Sequence, residues 1–290
     1  MSPINVQSNT SPKYVQTTTM NGMCPDLVLK SSNSICFHVH THVLNSASSN
    51  NFKGLAVASN GSIINLTEDS QVLIVILDII YRSTSAAVDF SPPFSFDILA
   101  AAISCLPVYG IDIQAQLDSD RFDTDADVHP LPIFQALHAH ATTHALELYI
   151  LAAQHNMEAL AVVASAHLVG FQLVELTDEQ AELMGPRFLR RLMLMQTQRE
   201  EALKRILLQT PYPHPTTPEC DALDQKTLTR AWTLTAAYFA WDIQADLPSV
   251  ALERLLGPLA GHVSCEQCKR SIREQVARIV FEWEAVKGTI

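Results

Sequence analysis

Hydrophobic and polar residues alternate in two short runs near the start of the chain. Residues 26–29 and 35–39 are rich in β-branched, aromatic and aliphatic side chains, and the polar residues 31–34 separate them. Such alternation on either side of a polar turn is typical of a β-hairpin. Directly after it, four residues spaced by four predict one face of a helix, namely His40, Leu44, Ser48 and Phe52.

Further along, the pattern predicts a third strand over residues 62–66 and two helices. Residues 70–82 are apolar on nearly all sides, which indicates a helix that is buried on most of its surface. A second helix is expected from near Phe96 to Gly110, because a glycine readily adopts the positive φ of a helix C-cap. Pro107 predicts an early stop or a kink in that helix.

From residue 133 to 208 the periodicity of apolar residues is almost entirely helical. Breaks between helices are expected at His155-Asn156 and at Gly185-Pro186. Thr177 followed by Gln180 has the spacing of a capping box and predicts a helix start. The second half of the chain is therefore expected to be all-helical.

Residues 210–218 contain four prolines in nine positions, which predicts an extended linker. The first helix after it carries Trp232 and Trp241, and we expect it to fold back onto residues 133–208, because such a helix cannot stand alone in water. The helices expected after the linker cover about 223–242, 250–256 and 265–286.

The order strand, polar turn, strand and then H-x3-L-x3-S-x3-F resembles the opening of the BTB/POZ domain. The residues that carry this resemblance are Asp26, His40, Leu44, Ser48 and Phe52. The resemblance implies an α+β fold, in which a small sheet flanked by helices precedes an all-α C-terminal region. The later order of helical segment, proline-rich linker and tail with Cys-x2-Cys and Trp resembles the BTB proteins expanded in mushroom-forming fungi.

These patterns divide the chain into six predicted segments. They are a disordered tail over 1–22, a BTB/POZ domain over 23–117, an acidic linker over 118–132, a helical region over 133–209, a proline-rich linker over 210–219 and a helical C-terminal region over 220–290.

The chain has 290 residues, and its 19 Lys and Arg against 30 Asp and Glu give a net charge of −11. This charge repels phosphate backbones, so we expect no direct binding to nucleic acid. A local basic patch is left open at Arg187, Arg190 and Arg191.

Six cysteines are scattered over the chain, and its start lacks the charged and apolar pattern of a signal peptide. We therefore expect an intracellular protein, in the cytoplasm or the nucleus. The longest apolar run falls well short of the roughly 20 residues that a membrane span needs, so no membrane association is expected.

The motifs of common enzyme sites do not occur in this sequence. It contains no G-x-S-x-G, no phosphate loop, no G-x-G-x-x-G and no H-E-x-x-H. We expect no catalytic residue and no cofactor.

One group of residues has the composition of half a structural zinc site. Cys265 and Cys268 are spaced Cys-x2-Cys, His262 lies three residues upstream and Cys220 lies across the linker. The alternative is a pair of half-buried cysteines at the start of the last helix. From the sequence alone we assign no metal site.

Two histidine clusters and one acidic run also have spacings found in metal sites. Asp123, Asp125 and Asp127 begin like an EF-hand loop, but Val128 and Phe134 stand where glycine and glutamate are needed. We interpret the run as a solvated loop. One histidine cluster is His38, His40 and His42, and the other is His138, His140 and His144. No carboxylate or thiol completes a ligand set in either cluster.

The BTB resemblance implies a non-enzymatic interaction module that forms homodimers and recruits a protein partner. Two alternatives are a substrate adaptor of a cullin-type ubiquitin ligase and a transcriptional regulator. The segment after Phe52 lacks the hydrophobic-x-Glu contact usual in cullin adaptors, and the net charge argues against DNA binding. Residues before Asp26 are too polar for the exchanged strand of many BTB dimers, so dimerisation is expected to use residues 40–52 and their neighbours.

Overall fold

The computed structural model describes residues 10–11, 14, 23–55, 63–82, 94–113, 132–241 and 243–290. The chain divides into two compact units, residues 1–144 and 145–290. The described part is mostly helical with one small three-stranded sheet, which confirms the predicted α+β class.

The first unit contains three strands and four helices among its described residues. In chain order these are β1 (Leu27–Lys30), β2 (Cys36–Val39), α1 (Thr41–Ala47), β3 (Ile63–Asn65), α2 (Ser70–Arg82), α3 (Phe96–Cys105) and α4 (Pro132–Ala139).

The sheet has the order β2-β1-β3. Strands β1 and β2 form the predicted antiparallel hairpin, with Leu27 opposite Val39, and β3 runs parallel to β1. Alternate positions of β1 are buried, so one face of the hairpin joins the core. Leu29 and Phe37 are fully buried on that face.

The predicted helix over residues 70–82 is confirmed, and so is the early stop before Pro107, because α3 ends at Cys105. Gly110 is not the cap of that helix. It has a φ of +68°, and a Cβ built on it would lie 2.5 Å from the side-chain Cγ of Asn50. Gly110 is therefore required by a close approach of two chain segments.

Three described residues of the N-terminal tail pack against the sheet. The N–H of Ser11 donates to the Cys36 carbonyl, and the N–H of His38 donates to the Tyr14 carbonyl. The buried Tyr14 hydroxyl donates to Asp78 Oδ1 at 2.6 Å. The expectation of a flexible tail does not hold at these positions, because Tyr14 supplies an aromatic anchor with a buried acceptor.

Helix α4 belongs to the first unit, although the sequence assigned residues 133–209 to the helical region. After α4, a ring nitrogen of His140 lies 3.1 Å from the Phe94 carbonyl oxygen. The ring of His144 stacks on Phe96 with centroids 4.8 Å apart. These contacts with the start of α3 attach α4 to the first unit. Most of the predicted acidic linker lies outside the described residues.

The second unit contains six helices among its described residues. They are α5 (Ala145–Gln154), α6 (Glu158–Ala166), α7 (Asp178–Leu207), α8 (Ala222–Trp241), α9 (Ser249–Leu256) and α10 (Glu266–Glu284). Short 3-10 helices cover Leu173–Glu175 and Gly257–His262.

Local signals in the sequence predicted these helix boundaries well. Thr177 forms the capping box with Gln180, and the break between α5 and α6 includes Asn156. At Gly185 the backbone leaves helical geometry inside α7, with a φ of 70°. The break expected at Gly185-Pro186 is therefore confirmed, because α7 consists of two helical segments that meet at a kink there.

The end of α7 packs with α8, α9 and α10 around the fully buried Trp232. The indole N–H of Trp232 donates to the Leu207 carbonyl at 3.3 Å, so α8 does fold back onto α7 as expected. Trp241, at the end of α8, is 93% exposed, so the helix is held through Trp232 and through other side chains such as Leu228 and Phe239.

Within the described ranges, no helix combines the length and the apolar character needed to cross a membrane.

Alanine substitutions at Gly110 and Gly54 distinguish the cost of a positive φ from the cost of a clash between the new Cβ and a neighbouring residue. Both glycines have positive φ, but only Gly110 has a neighbour where a Cβ would lie. Gly54→Ala is expected to lower the free energy of unfolding by about 1 kcal/mol from the left-handed backbone alone. Gly110→Ala is expected to cost about 2–4 kcal/mol, because overpacking adds roughly 1–3 kcal/mol. Equal losses in urea unfolding followed by circular dichroism would contradict the close approach.

Candidate functional site

The BTB signature residues do not all lie on one helix. Helix α1 ends at Ala47, and Ser48 already has an extended backbone with a φ of −119°. Asn51, Phe52 and Lys53 then have positive φ, so the helix cannot continue through them. The prediction of one helical face from His40 to Phe52 is therefore wrong, although all four signature residues are buried.

Ser48 links the end of α1 to the turn after α3. Its hydroxyl donates to the Tyr109 carbonyl at 2.6 Å and accepts from the Phe52 N–H at 2.7 Å. The Phe52 ring stacks on Tyr109, with centroids 4.3 Å apart. The spacing of four between Ser48 and Phe52 thus serves a side-chain cap and a ring stack, not a helical face.

His40 lies where β2 meets α1, as the sequence indicated. Its ring nitrogens lie 3.1 Å from the Tyr81 hydroxyl and 3.2 Å from the Met23 carbonyl oxygen. Because both nitrogens have partners within the fold, His40 builds the domain and does not complete a chelate with His38 and His42.

Asp26 fixes the first turn of α1. Its Oδ1 accepts from the Thr41 N–H at 2.7 Å. Burial is the largest single effect and raises the pKa of Asp26, but hydrogen bonds from the backbone and side chain of Thr41 and from the Asp26 backbone together outweigh it, so the pKa lies below its ordinary value. All five signature residues therefore have structural contacts within the first unit.

Two arginines of the basic patch left open by the sequence are paired with the same acid. Arg187 and Arg191 both contact Glu158, and Arg187 also donates to Asn156 at 2.8 Å. Both guanidinium groups also lie near the Phe188 ring. The patch is thereby partly neutralised and is engaged in fixing α7 to α6. The predicted EF-hand-like acids lie outside the described residues.

Four side chains of the second unit bring metal-ligand atoms together: His214, Cys220, Cys265 and Cys268. These atoms all lie within 4.8 Å of one another, and this is the one such group of three or more donors in the described ranges. Three of the four, Cys220, Cys265 and Cys268, belong to the zinc candidate identified in the sequence. The histidine of that candidate was His262, and in the structure His214 from the proline-rich linker takes its place.

Three different elements position the four ligands. His214 lies in the extended linker, and Cys220 follows a tight turn in which Thr217 and Cys220 exchange two backbone hydrogen bonds. Cys265 is the N-cap of α10, and Cys268 lies in its first turn. The cluster therefore joins the linker to the start of α10.

The distances inside the cluster are short. The His214 Nε2 lies 3.2 Å from the Cys268 Sγ and 3.4 Å from the Cys265 Sγ. The Sγ atoms of Cys220 and Cys268 are 3.6 Å apart, and neither residue is in a disulfide. Three sulfur atoms thus converge on one imidazole nitrogen.

The imidazole of His214 is oriented by its other nitrogen. Nδ1 lies 2.7 Å from the Pro215 carbonyl oxygen and donates its proton there. Nε2 then carries the lone pair that faces the sulfur atoms. The His214 carbonyl in turn accepts from the Gln225 side chain of α8 at 3.0 Å.

The three thiols have different environments. Backbone N–H groups of Cys268 and Gln267 at the start of α10 lower the pKa of Cys265 to about 7. Burial raises the pKa of Cys268 to about 12, and burial also raises the pKa of Cys220. The half-buried thiol at the helix N-terminus is thus the most acidic of the three.

His262 is exposed and lines an open cavity next to the cluster, together with Cys220 and Cys265. It was selected because it is close to Cys265 in sequence. His214 is 51 residues from Cys265. The one signal that favours His214 is its position between prolines, in a segment that needs side-chain contacts to be held in place.

The linker lies along α10 by means of side-chain contacts. Gln275 donates to the Gln209 carbonyl at 3.0 Å, and Ser271 donates to the Tyr212 carbonyl at 2.7 Å. The guanidinium of Arg278 lies 4.7 Å from the centroid of the Tyr212 ring. The linker therefore runs toward the N-terminus of α10 and ends at the Cys/His cluster.

Helix α8 has an apolar exposed face near its C-terminal end. Leu234, Tyr238 and Trp241 are 73%, 77% and 93% exposed. Their spacing of four and three places them on one side of the helix. We call these three residues the α8 stripe.

Serine-to-alanine variants test the link between α1 and the turn after α3. Ser48→Ala leaves the buried Tyr109 carbonyl and Phe52 N–H without this partner, so we expect a loss of about 2–4 kcal/mol in unfolding free energy. Ser49→Ala is the matched control, because the bond from Ser49 to Gly110 is exposed and its loss changes stability by roughly 0.5 kcal/mol or less. Chemical denaturation compares the two, and similar losses would contradict a special role for Ser48.

No protein-family model, no curated protein and no solved structure matches this chain. Function is therefore inferred from its side chains and their geometry.

Proposed function

We propose that this chain is a non-enzymatic protein–protein interaction protein. Its first unit acts as a BTB/POZ-type domain that forms homodimers, and its helical unit recruits a protein partner. The observation that carries the proposal is the signature segment. Its histidine, leucine, serine and phenylalanine are all buried next to a β-hairpin, and two of them contact the Tyr109-Gly110 turn.

The roles of the signature residues support this proposal over a chance match of spacing. His40, at the junction of β2 and α1, contacts the Tyr81 hydroxyl of α2, while Leu44 is fully buried on α1. Ser48 and Phe52 connect that segment to the turn after α3. Burial of all four positions, with Ser48 and Phe52 sharing Tyr109 as a partner, is more than a chance spacing of four requires.

The perturbed tyrosines of the first unit also support a structural role. Burial raises the pKa of Tyr81 to about 12, and burial likewise raises that of Tyr14. Their hydroxyls contact His40 and Asp78 inside the core. These strong shifts arise from packing and do not indicate a general acid or base.

Recruitment of a partner by the second unit is supported by the α8 stripe. Tyrosine and tryptophan dominate the binding energy of many protein interfaces. A tryptophan that is 93% exposed adds nothing to the core of its own unit, and the neighbouring Leu234 and Tyr238 extend the apolar surface. We assign this surface to a protein partner with an apolar contact area.

The solution mass tests homodimerisation. Light scattering on a sizing column, over a dilution series, is compared for the whole chain and for residues 1–144, the first compact unit. We expect a dimer in both samples, because the proposed contact lies in the first unit. A monomer in both would refute the dimer, and a dimer only in the whole chain would place the contact in the helical unit.

Alanine substitutions at the two tryptophans of α8 test the difference between core and surface. Trp232→Ala is expected to cost about 3–5 kcal/mol, because it leaves a cavity in the helical core. Trp241→Ala is expected to change the unfolding free energy by roughly 0.5 kcal/mol or less. Urea unfolding followed by far-ultraviolet circular dichroism measures both. A large loss at Trp241 would mean that it serves the fold and not a partner.

A further inference from the structure

We propose that His214, Cys220, Cys265 and Cys268 bind one structural Zn²⁺ ion. This site goes beyond the proposed interaction function and does not depend on it. It lies in the second unit, whereas the dimer contact is assigned to the first.

Three distances between the ligand atoms lie close to the edges of a zinc tetrahedron, and all four atoms lie within 4.8 Å of one another. Zinc lies about 2.3 Å from sulfur and about 2.0–2.1 Å from nitrogen, so tetrahedral edges are about 3.8 Å between sulfurs and about 3.6 Å between sulfur and nitrogen. The cluster has 3.6 Å between Cys220 and Cys268, and 3.2 and 3.4 Å from His214 to its two sulfur neighbours. An ion at the centre therefore needs only small movements of side chains.

The groups that contact the ligands fit zinc as well. Metal-bound histidines almost always donate their other ring N–H to an oxygen, which fixes the tautomer and the ring orientation. His214 does this through Nδ1 to the Pro215 carbonyl. The start of α10, with two cysteines, supplies backbone N–H groups that favour the net negative charge of three thiolates with Zn²⁺.

The donor set indicates both the metal and its role. Three thiolates and one imidazole favour zinc over Mg²⁺ or Ca²⁺, which prefer oxygen ligands. Four protein ligands also complete the tetrahedron, so no position is left for a catalytic water. Cys220 and Cys268 are almost fully buried, which suits a structural ion.

Two other uses of the same residues explain less of the geometry. A nucleophilic cysteine–histidine pair needs Cys265 and His214 alone, and it leaves Cys220 and Cys268 without a role. A disulfide between Cys220 and Cys268 leaves the convergence of His214 and Cys265 unexplained. Only a shared ion uses all four atoms.

Zinc binding would cross-link distant parts of the chain. His214 and Cys268 are 54 residues apart, and Cys220 and Cys268 are 48 residues apart. A link that closes such loops restricts the unfolded chain and stabilises the folded one. It would fix the linker and the start of α8 to the start of α10.

The first test measures metal in the purified full-length chain. Mass spectrometry of the elements is expected to find one zinc per chain after extensive dialysis. Co²⁺ added to chain stripped with a chelator is expected to give the intense ligand-field absorption of a tetrahedral site and sulfur-to-cobalt charge transfer. Zinc should then displace the cobalt and abolish both signals.

Variants assign the ligands. His214→Ala and Cys265→Ser are each expected to reduce zinc affinity at least tenfold and to weaken the cobalt charge-transfer band. His262→Ala and Cys105→Ser are the matched controls, because His262 lies beside the cluster and Cys105 lies in the other unit. Both controls are expected to keep one zinc per chain.

Several results would overturn the proposal. They are iron in place of zinc, a Cys220–Cys268 disulfide in the native chain, or stripped wild-type chain that binds neither Co²⁺ nor Zn²⁺ while it stays folded. Loss of zinc in His262→Ala but not in His214→Ala would restore the ligand set suggested by sequence and would refute this one. Because the cobalt titration uses wild-type chain, the test holds even where a variant fails to fold.

Light scattering of the zinc-loaded and the stripped chain keeps the two proposals separate. We expect dimerisation to be the same in both. A monomer that binds zinc would refute the dimer alone, and a dimer that binds no metal would refute the zinc site alone.

Discussion

The helical unit depends on how a segment rich in proline is held in place. Four prolines in residues 210–218 remove four backbone donors, so this segment cannot join a helix or a sheet ladder. Side chains of α10 hold it instead: Ser271 donates to the Tyr212 carbonyl within the segment, and Gln275 donates to the Gln209 carbonyl just before it. The segment sets where α8 begins, and it therefore sets where Trp232 enters the core formed with the end of α7.

In the first unit, the comparable constraint is a close approach of two backbone segments. The turn after α3 brings Gly110 so near to Asn50 that a side chain at Gly110 has no room. Ser48 then reaches the Tyr109 carbonyl, and the rings of Phe52 and Tyr109 can stack. One close backbone approach thus makes the contacts of the signature segment compatible with one another.

The sequence predicted those features that are determined by local signals. Thr177 begins a helix because its capping box lies within three residues, and α3 stops early because Pro107 follows it. The same reasoning did not succeed at Ser48, where the repeat of four residues imitates a helical face. Contacts with Tyr109, which is distant in sequence, determine the backbone there.

Features that depend on distant contacts were predicted less well. His262 was the histidine of the zinc candidate that the sequence left open, because it is near Cys265 in sequence, but the fold brings His214 from the linker to the cysteines. The sequence predicted that the helix with Trp232 and Trp241 folds back onto the preceding helices, but it did not distinguish the buried Trp232 from the exposed Trp241. Cys265 and Cys268 are close together because Cys-x2-Cys is a local pattern, whereas it is the fold that brings Cys220 from across the linker to them.

The proposed zinc site and the α8 stripe are related through the helix that both involve. Cys220 directly precedes Asp221, whose carboxylate accepts from N–H groups in the first turn of α8. An ion held by Cys220 would therefore fix the start of α8, while Trp232 fixes its middle. Near its far end α8 also packs Phe239 against the core, so the stripe is not needed to hold the helix. Leu234, Tyr238 and Trp241 can then remain exposed without loss of the fold, which is the condition for using them to bind a partner.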